Sequence, residues 1–263
     1  MISANTVTEI AEKEGIGWAI VEKDYFLTLL LEGISQTPFL KENLVFKGGT
    51  ALRKIYFEHY RYSEDLDFTL TRALSESEVR TGLESAFAYL KTEHNADFKT
   101  KDLRARNWFT DAKIQFTGLK DWKNTVTLDL MADESIIDAA GERKVFNPYY
   151  EKTFRVRAYS LEEITAEKLR SLLQRTRVRD YYDAWFILTR AKKLDGKKVV
   201  KIFAEKLAVK KLSFPPKGRL LDERKIAEAK AYYESQLGNQ IKPLPAFDAL
   251  AQELRNAVSE LGL

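Results

Sequence analysis

Leu44-Val45-Phe46-Lys47-Gly48-Gly49-Thr50 and, further on, Leu66-Asp67-Phe68-Thr69-Leu70 decide the fold class. Leu44 to Phe46 is a short apolar run ending at a glycine pair, the pattern of a buried strand entering a tight turn. Thr50 to Phe57 then carries Ala51, Leu52 and Ile55 on one side, as a helix would. Leu66 to Leu70 reads as a second strand. The order is strand, glycine turn, helix, loop, strand.

Working outward, Val7, Ile10 and Ala11, then Ile20, Val21, Tyr25 and Leu29, recur at helical spacing. Gly15 and Gly17 interrupt them, which predicts two helices over 7–34. Ser75 followed by Glu78 forms a capping box for a helix reaching about Glu93. Residues 97–118 and 124–131 favour strands, with Val126, Leu128 and Leu130 alternating against Thr127 and Asp129. Phe154-Arg155-Val156-Arg157 alternates as well. From Ser160 the pattern changes: Ser160 with Glu163 predicts a second capping box, and successive helices follow. Pro215-Pro216, Gly218, Gly238 and Pro243-Leu244-Pro245 break them. The expectation is an α+β chain in two parts, residues 1–159 with the strands and residues 160–263 all helical.

Composition narrows the class. With 44% hydrophobic, 12% aromatic and 31% charged residues in 263, the chain is neither disordered nor fibrous. No apolar run nears the roughly 18–20 residues of a membrane span; the richest, Phe26 to Leu31, is interrupted by Thr28. Met1-Ile2-Ser3-Ala4-Asn5 lacks the basic and apolar regions of a signal peptide. Absence of cysteine excludes disulfides and thiolate metal sites. A soluble, cytoplasmic protein with no membrane partner is expected. His59 and His94 are the only histidines, too few for a His-rich zinc site. The pairs Tyr149-Tyr150, Tyr181-Tyr182 and Tyr232-Tyr233 are expected in packing, as are Trp108 and Trp122 as core anchors. The net charge of +4 conceals a basic segment: Ala191 to Arg219 holds ten Lys/Arg against two acids. Such a stretch suits a polyanion or, more blandly, a solvated lysine face.

The chemistry-bearing residues form two groups. Asp65 and Asp67 are two apart on a strand and so project from one face. Paired carboxylates repel unless a cation lies between them, and hard oxygen donors favour Mg²⁺ or Mn²⁺. Gly48 and Gly49 lie at a strand-to-helix turn, where bare backbone N–H groups and a helix dipole suit phosphate. An acid pair beside a glycine cradle is the layout phosphoryl transfer needs. Asp129 is the candidate third acid, with Asp133 and Glu134 as substitutes. The second group is Glu163, Glu167-Lys168, Arg175, Arg179-Asp180 and Tyr182-Asp183. On a continuous helix, Arg175 and Arg179 fall about 20° to either side of Lys168, and Asp183 about 60° away. That stripe could hold a triphosphate; an interruption within Arg175–Arg179 would spoil the angles, and a salt-bridged surface helix is the bland alternative.

Lys47-Gly48-Gly49-Thr50-Ala51-Leu52, Arg61-Tyr62-Ser63-Glu64-Asp65-Leu66-Asp67-Phe68, Glu167-Lys168-Leu169 and Arg179-Asp180-Tyr181-Tyr182-Asp183 together resemble the AbiEii/AbiGii toxin family of nucleotidyltransferases, which includes the MenT toxins. The resemblance runs from about Lys23-Asp24 to about Leu188. It implies a polymerase-β-like core with a small mixed sheet and a helical C-terminal part. It also implies Mg²⁺-dependent use of a nucleoside triphosphate, an RNA acceptor such as the tRNA 3′ end, and a cognate antitoxin. By position, Asp65 and Asp67 would be metal ligands, and Gly49 and Ser63, with Gly48 and Thr50, would contact the triphosphate. Lys168 and Asp183 would be the second-motif catalytic pair, helped by Arg175 and Arg179. Many relatives in the wider superfamily have Gly-Ser where this chain has Gly49-Thr50, which keeps the hydroxyl. Two rivals remain: an NTP-dependent enzyme phosphorylating or nucleotidylating a protein, and a non-catalytic nucleotide- or RNA-binding protein.

Overall fold

A computed structural model describes residues 1–263. The chain divides into two compact units, Met1–Ile136 with Ala140–Tyr159, and Ile137–Ala139 with Ser160–Leu263. No helix is long and apolar enough to cross a membrane.

The first unit opens with helices α1 (Ala4–Glu14) and α2 (Trp18–Gln36). Gly15 ends α1 at φ 65°, donating its N–H to Ala11 and Glu12 carbonyls. A short α3 (Pro38–Asn43), not expected from the pattern, leads into β1 (Leu44–Lys47). Next come α4 (Gly48–Ala51), a π-helical turn (Leu52–Tyr56), β2 (Asp65–Leu70) and α5 (Glu76–His94). The Ser75–Glu78 capping box forms in full. The expected strand region 97–118 is a hairpin of β3 (Phe98–Arg106) and β4 (Phe109–Thr117). After it come β5 (Lys123–Met131), β6 (Gly141–Lys144) and β7 (Arg155–Ala158). All seven strands form one mixed sheet in the order β3-β4-β5-β2-β1-β7-β6. β2 runs parallel to β5 and β1 parallel to β7, while the other neighbours are antiparallel.

Alternation sets the two faces of the sheet. Leu66, Phe68, Leu103, Ala112, Ile114, Phe116, Val126, Leu128 and Leu130 are buried. Phe26 of α2 stacks on Phe116 at 4.1 Å between ring centroids, and Phe87 of α5 stacks on Phe98 at 5.9 Å. The residues between them, among them Asp65, Asp67, Thr127, Asp129, Asp111 and Lys113, lie half-buried or exposed on the other face. Trp108 and Trp122 are not core anchors: they are 51% and 77% exposed. Trp108 sits in the β3–β4 turn and Trp122 just before β5, where no second layer covers an aromatic ring.

The second unit is helical: α6 (Leu161–Gln174), α7 (Val178–Arg190), α8 (Gly196–Val209), α9 (Glu223–Leu237) and α10 (Phe247–Glu260). Leu169, Leu172, Tyr181, Tyr182, Ile202, Phe203, Leu250 and Leu254 are among its buried residues. Ser160 caps α6 by accepting from the Glu163 N–H, but the expected reciprocal bond of a capping box is absent. The Glu163 carboxylate turns inward and accepts from the N–H groups of Ile137 (2.8 Å) and Asp138 (3.1 Å). Of the tyrosine pairs, Tyr149, Tyr181, Tyr182 and Tyr233 are buried, whereas Tyr232 is exposed.

Candidate active site

β1 ends at Lys47, and the chain turns at Gly48 with φ +80°. A β-carbon there would lie 2.1 Å from Oδ2 of Asp67, so glycine is what leaves that carboxylate its place. The meeting follows from the antiparallel register, in which Lys47 stands opposite Asp67. At Gly49 a β-carbon would meet Nη2 of Arg61 at 2.7 Å and Oγ of Ser63 at 3.5 Å. Gly48, Gly49, Ser63 and Asp67 are therefore neighbours. Thr50 is fully buried and its hydroxyl donates to the Asp65 carbonyl, so it ties the turn to β2 instead of offering its hydroxyl to a ligand. The expected helix dipole is also weak, because α4 has four residues before it widens into the π-helical turn. What the turn offers a phosphate is mainly backbone N–H groups.

Asp65 and Asp67 alternate with buried Leu66 on β2 and share the open face of the sheet. Asp129 stands beside Asp67 in the parallel β2–β5 register, and Asp111 of β4 stands beside Asp129. With Arg104 opposite Asp111, one row crosses five strands: Lys47, Asp67, Asp129, Asp111, Arg104. Like charges directly opposite weaken a sheet, so three adjacent acids are not explained by strand stability. Asp111 was invisible in the linear pattern; only the pairing of β4 with β5 reveals it. No three of the His, Asp and Glu side chains are gathered closely enough to enclose an ion by themselves. Magnesium commonly takes one or two protein carboxylates and fills its shell with water and substrate phosphate. Asp65 and Asp67, as hard oxygen donors beside the glycine turn, fit that demand.

Behind the turn is a buried ion network. Asp24 of α2 is fully buried; it accepts from Lys54 Nζ and from the Tyr149 hydroxyl (2.6 Å). The Arg53 guanidinium lies 3.6 Å from Asp24 Oδ1 and 3.6 Å above the Tyr62 ring. Burial opposes the Asp24 charge, but Lys54 and Arg53 outweigh it and hold its carboxyl below the ordinary range. Burial likewise pushes Lys54 down to about 8 despite Asp24. This network fastens α2 to the π-helical turn that follows the glycines. Asp24 thus has a structural partner set, as Lys23 has in Glu64 at 2.7 Å.

In the second unit Lys168 Nζ lies 2.7 Å from Asp183 Oδ2 and 3.0 Å from Asp180 Oδ1. Arg175 reaches both Asp180 oxygens, Nε at 2.7 Å and Nη2 at 3.3 Å. These residues do not lie on one helix, and the continuous stripe is corrected. α6 stops at Gln174, and Arg175 and Arg177 are extended, with φ −153° and −123°. Thr176, between them, is β-branched, which disfavours helix here. A helix–turn–helix brings Lys168, Arg175 and Asp183 together instead, and Arg179 takes no part. Asp180, which linear spacing left without a role, is the hub. Burial raises its pKa, but Lys168 and Arg175 prevail and hold it below the ordinary carboxylate value. Glu163 and Glu167 belong elsewhere: they receive the fully buried Lys206 at 2.8 and 3.1 Å. One of the ten cations between 191 and 219 is therefore an internal strut.

The model of the AbiEii nucleotidyl transferase toxins, of the type IV toxin–antitoxin systems, matches residues 29–253. In structure, the chain is similar to MenT4, a nucleotidyltransferase toxin of Mycobacterium tuberculosis H37Rv, with a TM-score of 0.72 at 19% identity over 99% of this chain and 90% of that one. It is also similar to a crystal structure from H. pylori provisionally assigned as a nucleotidyltransferase, with a TM-score of 0.57 at 14% identity over 94% and 96% of the two chains. No curated protein sequence matches significantly.

Proposed function

Because the chain belongs to the AbiEii family of nucleotidyltransferase toxins of type IV toxin–antitoxin systems, we propose that it transfers a nucleotide from an NTP to an RNA acceptor, most plainly the 3′ end of a tRNA. The observation that carries this reading is the fit of Gly48 against Asp67, which sets the backbone N–H groups of the turn beside that carboxylate, with Asp65 two residues away on the same strand. In this reading Asp65 and Asp67 hold Mg²⁺ or Mn²⁺, with Asp129 alongside. Bound there, the ion would supply charge neutralisation on the phosphates and a lowered pKa for the attacking hydroxyl. Gly48, Gly49 and Ser63 bind and orient the triphosphate. In the second unit, Lys168 and Asp183 are assigned as a catalytic pair, with Asp183 orienting Lys168. Asp180 fixes Arg175 and shares Lys168. An antitoxin is the expected protein partner.

The test follows the label. The full chain is incubated with each α-labelled NTP, Mg²⁺ and total tRNA, and the product is digested with RNase or with protease. Label released by RNase alone supports the reading. Label resistant to RNase and released by protease would make the acceptor a protein, and no label with any NTP would remove the activity.

A further inference from the structure

The open face of the sheet does not end at the acids. β3 is an edge strand. On it Lys99, Arg104 and Arg106 are exposed, and Lys113 is exposed on the neighbouring β4. Residues 98–117 hold five Lys/Arg against two Asp. Register places two of these cations, Arg104 and Lys113, in line with the acids. Arg104, Asp111, Asp129 and Asp67 form one row, and Lys113, Thr127 and Asp65 another. At about 4.8 Å per strand, Arg104 lies roughly 14 Å from Asp67. That is about four nucleotides at the 3.4 Å stacked rise. The hairpin turn adds Trp108, exposed and held by its carbonyl, which accepts from Ala132 N–H (2.9 Å) three residues past Asp129.

We propose that the β3–β4 hairpin is the track for the single-stranded end of the RNA acceptor, with Arg104, Arg106 and Lys113 on its phosphates and Trp108 as a stacking surface for a base. Charged residues also guard sheet edges against strand addition. That role would account for Lys99 and Lys101 on β3. It does not account for Lys113, which is on an interior strand, or for an indole left in solvent at the hairpin turn. Cations that follow the backbone and aromatics that stack with any base are the two parts of a single-strand binding groove. A polyanion is therefore a better match than a protein, whose docking would be expected to need an apolar patch broader than one ring.

The inference rests on the RNA-directed nucleotidyltransferase reading, and its test separates the two. Trp108→Ala, Arg106→Glu and Lys113→Glu change exposed side chains and leave the acids and the glycine turn intact. Each is expected to raise the KM for tRNA, and the Kd for a short single-stranded RNA, roughly ten-fold. The KM for the NTP and the rate at saturating tRNA should stay within about two-fold. Each charge lost should lower the salt slope of RNA binding by about 1. Labelling of RNA with unchanged KM and Kd in all three variants would overturn the track while leaving the activity standing. Labelling of protein in place of RNA would overturn both.

Discussion

The Asp67 side chain packs against Gly48: a β-carbon on residue 48 would lie 2.1 Å from the Asp67 Oδ2 atom, on a backbone with φ +80°. Gly48→Ala therefore meets both a disfavoured conformation and a carboxylate. A cost of about 1–3 kcal/mol from the backbone alone is expected, read as a lower midpoint in urea. Nucleotide transfer should fall further than the unfolded fraction explains, because the displaced group is Asp67.

Asp24 is the counter-charge for two buried cations, Lys54 and Arg53. Removing one member of a buried ionic cluster leaves the others uncompensated, at about 3–5 kcal/mol. Asp24→Ala should thus lower the thermal midpoint more than any substitution on the open face of the sheet. A change within the scatter of surface variants would show that the network contributes little.

Asp180 joins Lys168 to Arg175 in the second unit. Asp180→Asn should cost about 1–3 kcal/mol, the range for a hydrogen bond to a charged group, and should reduce kcat more than the KM for the NTP. Lys168 keeps Asp183, so a conservative Asp180→Glu is expected to recover part of the activity. Equal losses in kcat and stability, with no recovery, would mark the cluster as purely structural.

The same cluster has a pH signature. Asp180 is held below its ordinary pKa, so its folded form binds a proton less readily than its unfolded form. Its contribution is fully present above the unfolded value of about 3.9 and fades as pH falls through the lower folded value. Stability measured from pH 6 downward should therefore drop less steeply in Asp180→Asn than in the parent. An unchanged slope would contradict the assignment.

The lysines of residues 191–219 are not alike. Lys206 is buried between Glu163 and Glu167, whereas Lys192, Lys193, Lys197 and Lys201 are exposed. Lys206→Ala should destabilise the second unit by about 3–5 kcal/mol. Replacing these four of the six exposed lysines in the segment by glutamine should leave the midpoint within about 0.5 kcal/mol. If these residues contact RNA, the same replacement flattens the salt dependence of tRNA binding; unchanged binding returns them to a solvated face.

Much of this was legible in the chain, and the failures share a cause. Most of the helix and strand order follows from periodicity, α3 and β6 excepted, and the closeness of Gly48 to Asp67 follows from one glycine turn between two strands. Local signals carry that information. Asp111 could not be found, because its place beside Asp129 is a matter of strand register. Asp180 and the broken stripe went astray because helical angles assume an unbroken helix, while Arg175 and Arg177 are extended. Hydrophobicity alone suggests a core position for Trp108 and Trp122, but it does not say whether a second layer covers a turn. Thr50 kept the hydroxyl that the motif requires but uses it on the Asp65 carbonyl.

The central claim is that Asp65 and Asp67 work as the metal-holding pair of a nucleotidyltransferase. It is tested most directly by nucleotide incorporation as a function of Mg²⁺ and Mn²⁺ in the parent chain and in Asp65→Asn and Asp67→Asn. Incorporation that needs the divalent ion, and falls at least about a hundred-fold in each variant with the thermal midpoint unchanged or raised, is the predicted result. Equal incorporation by the parent and both variants would contradict the account.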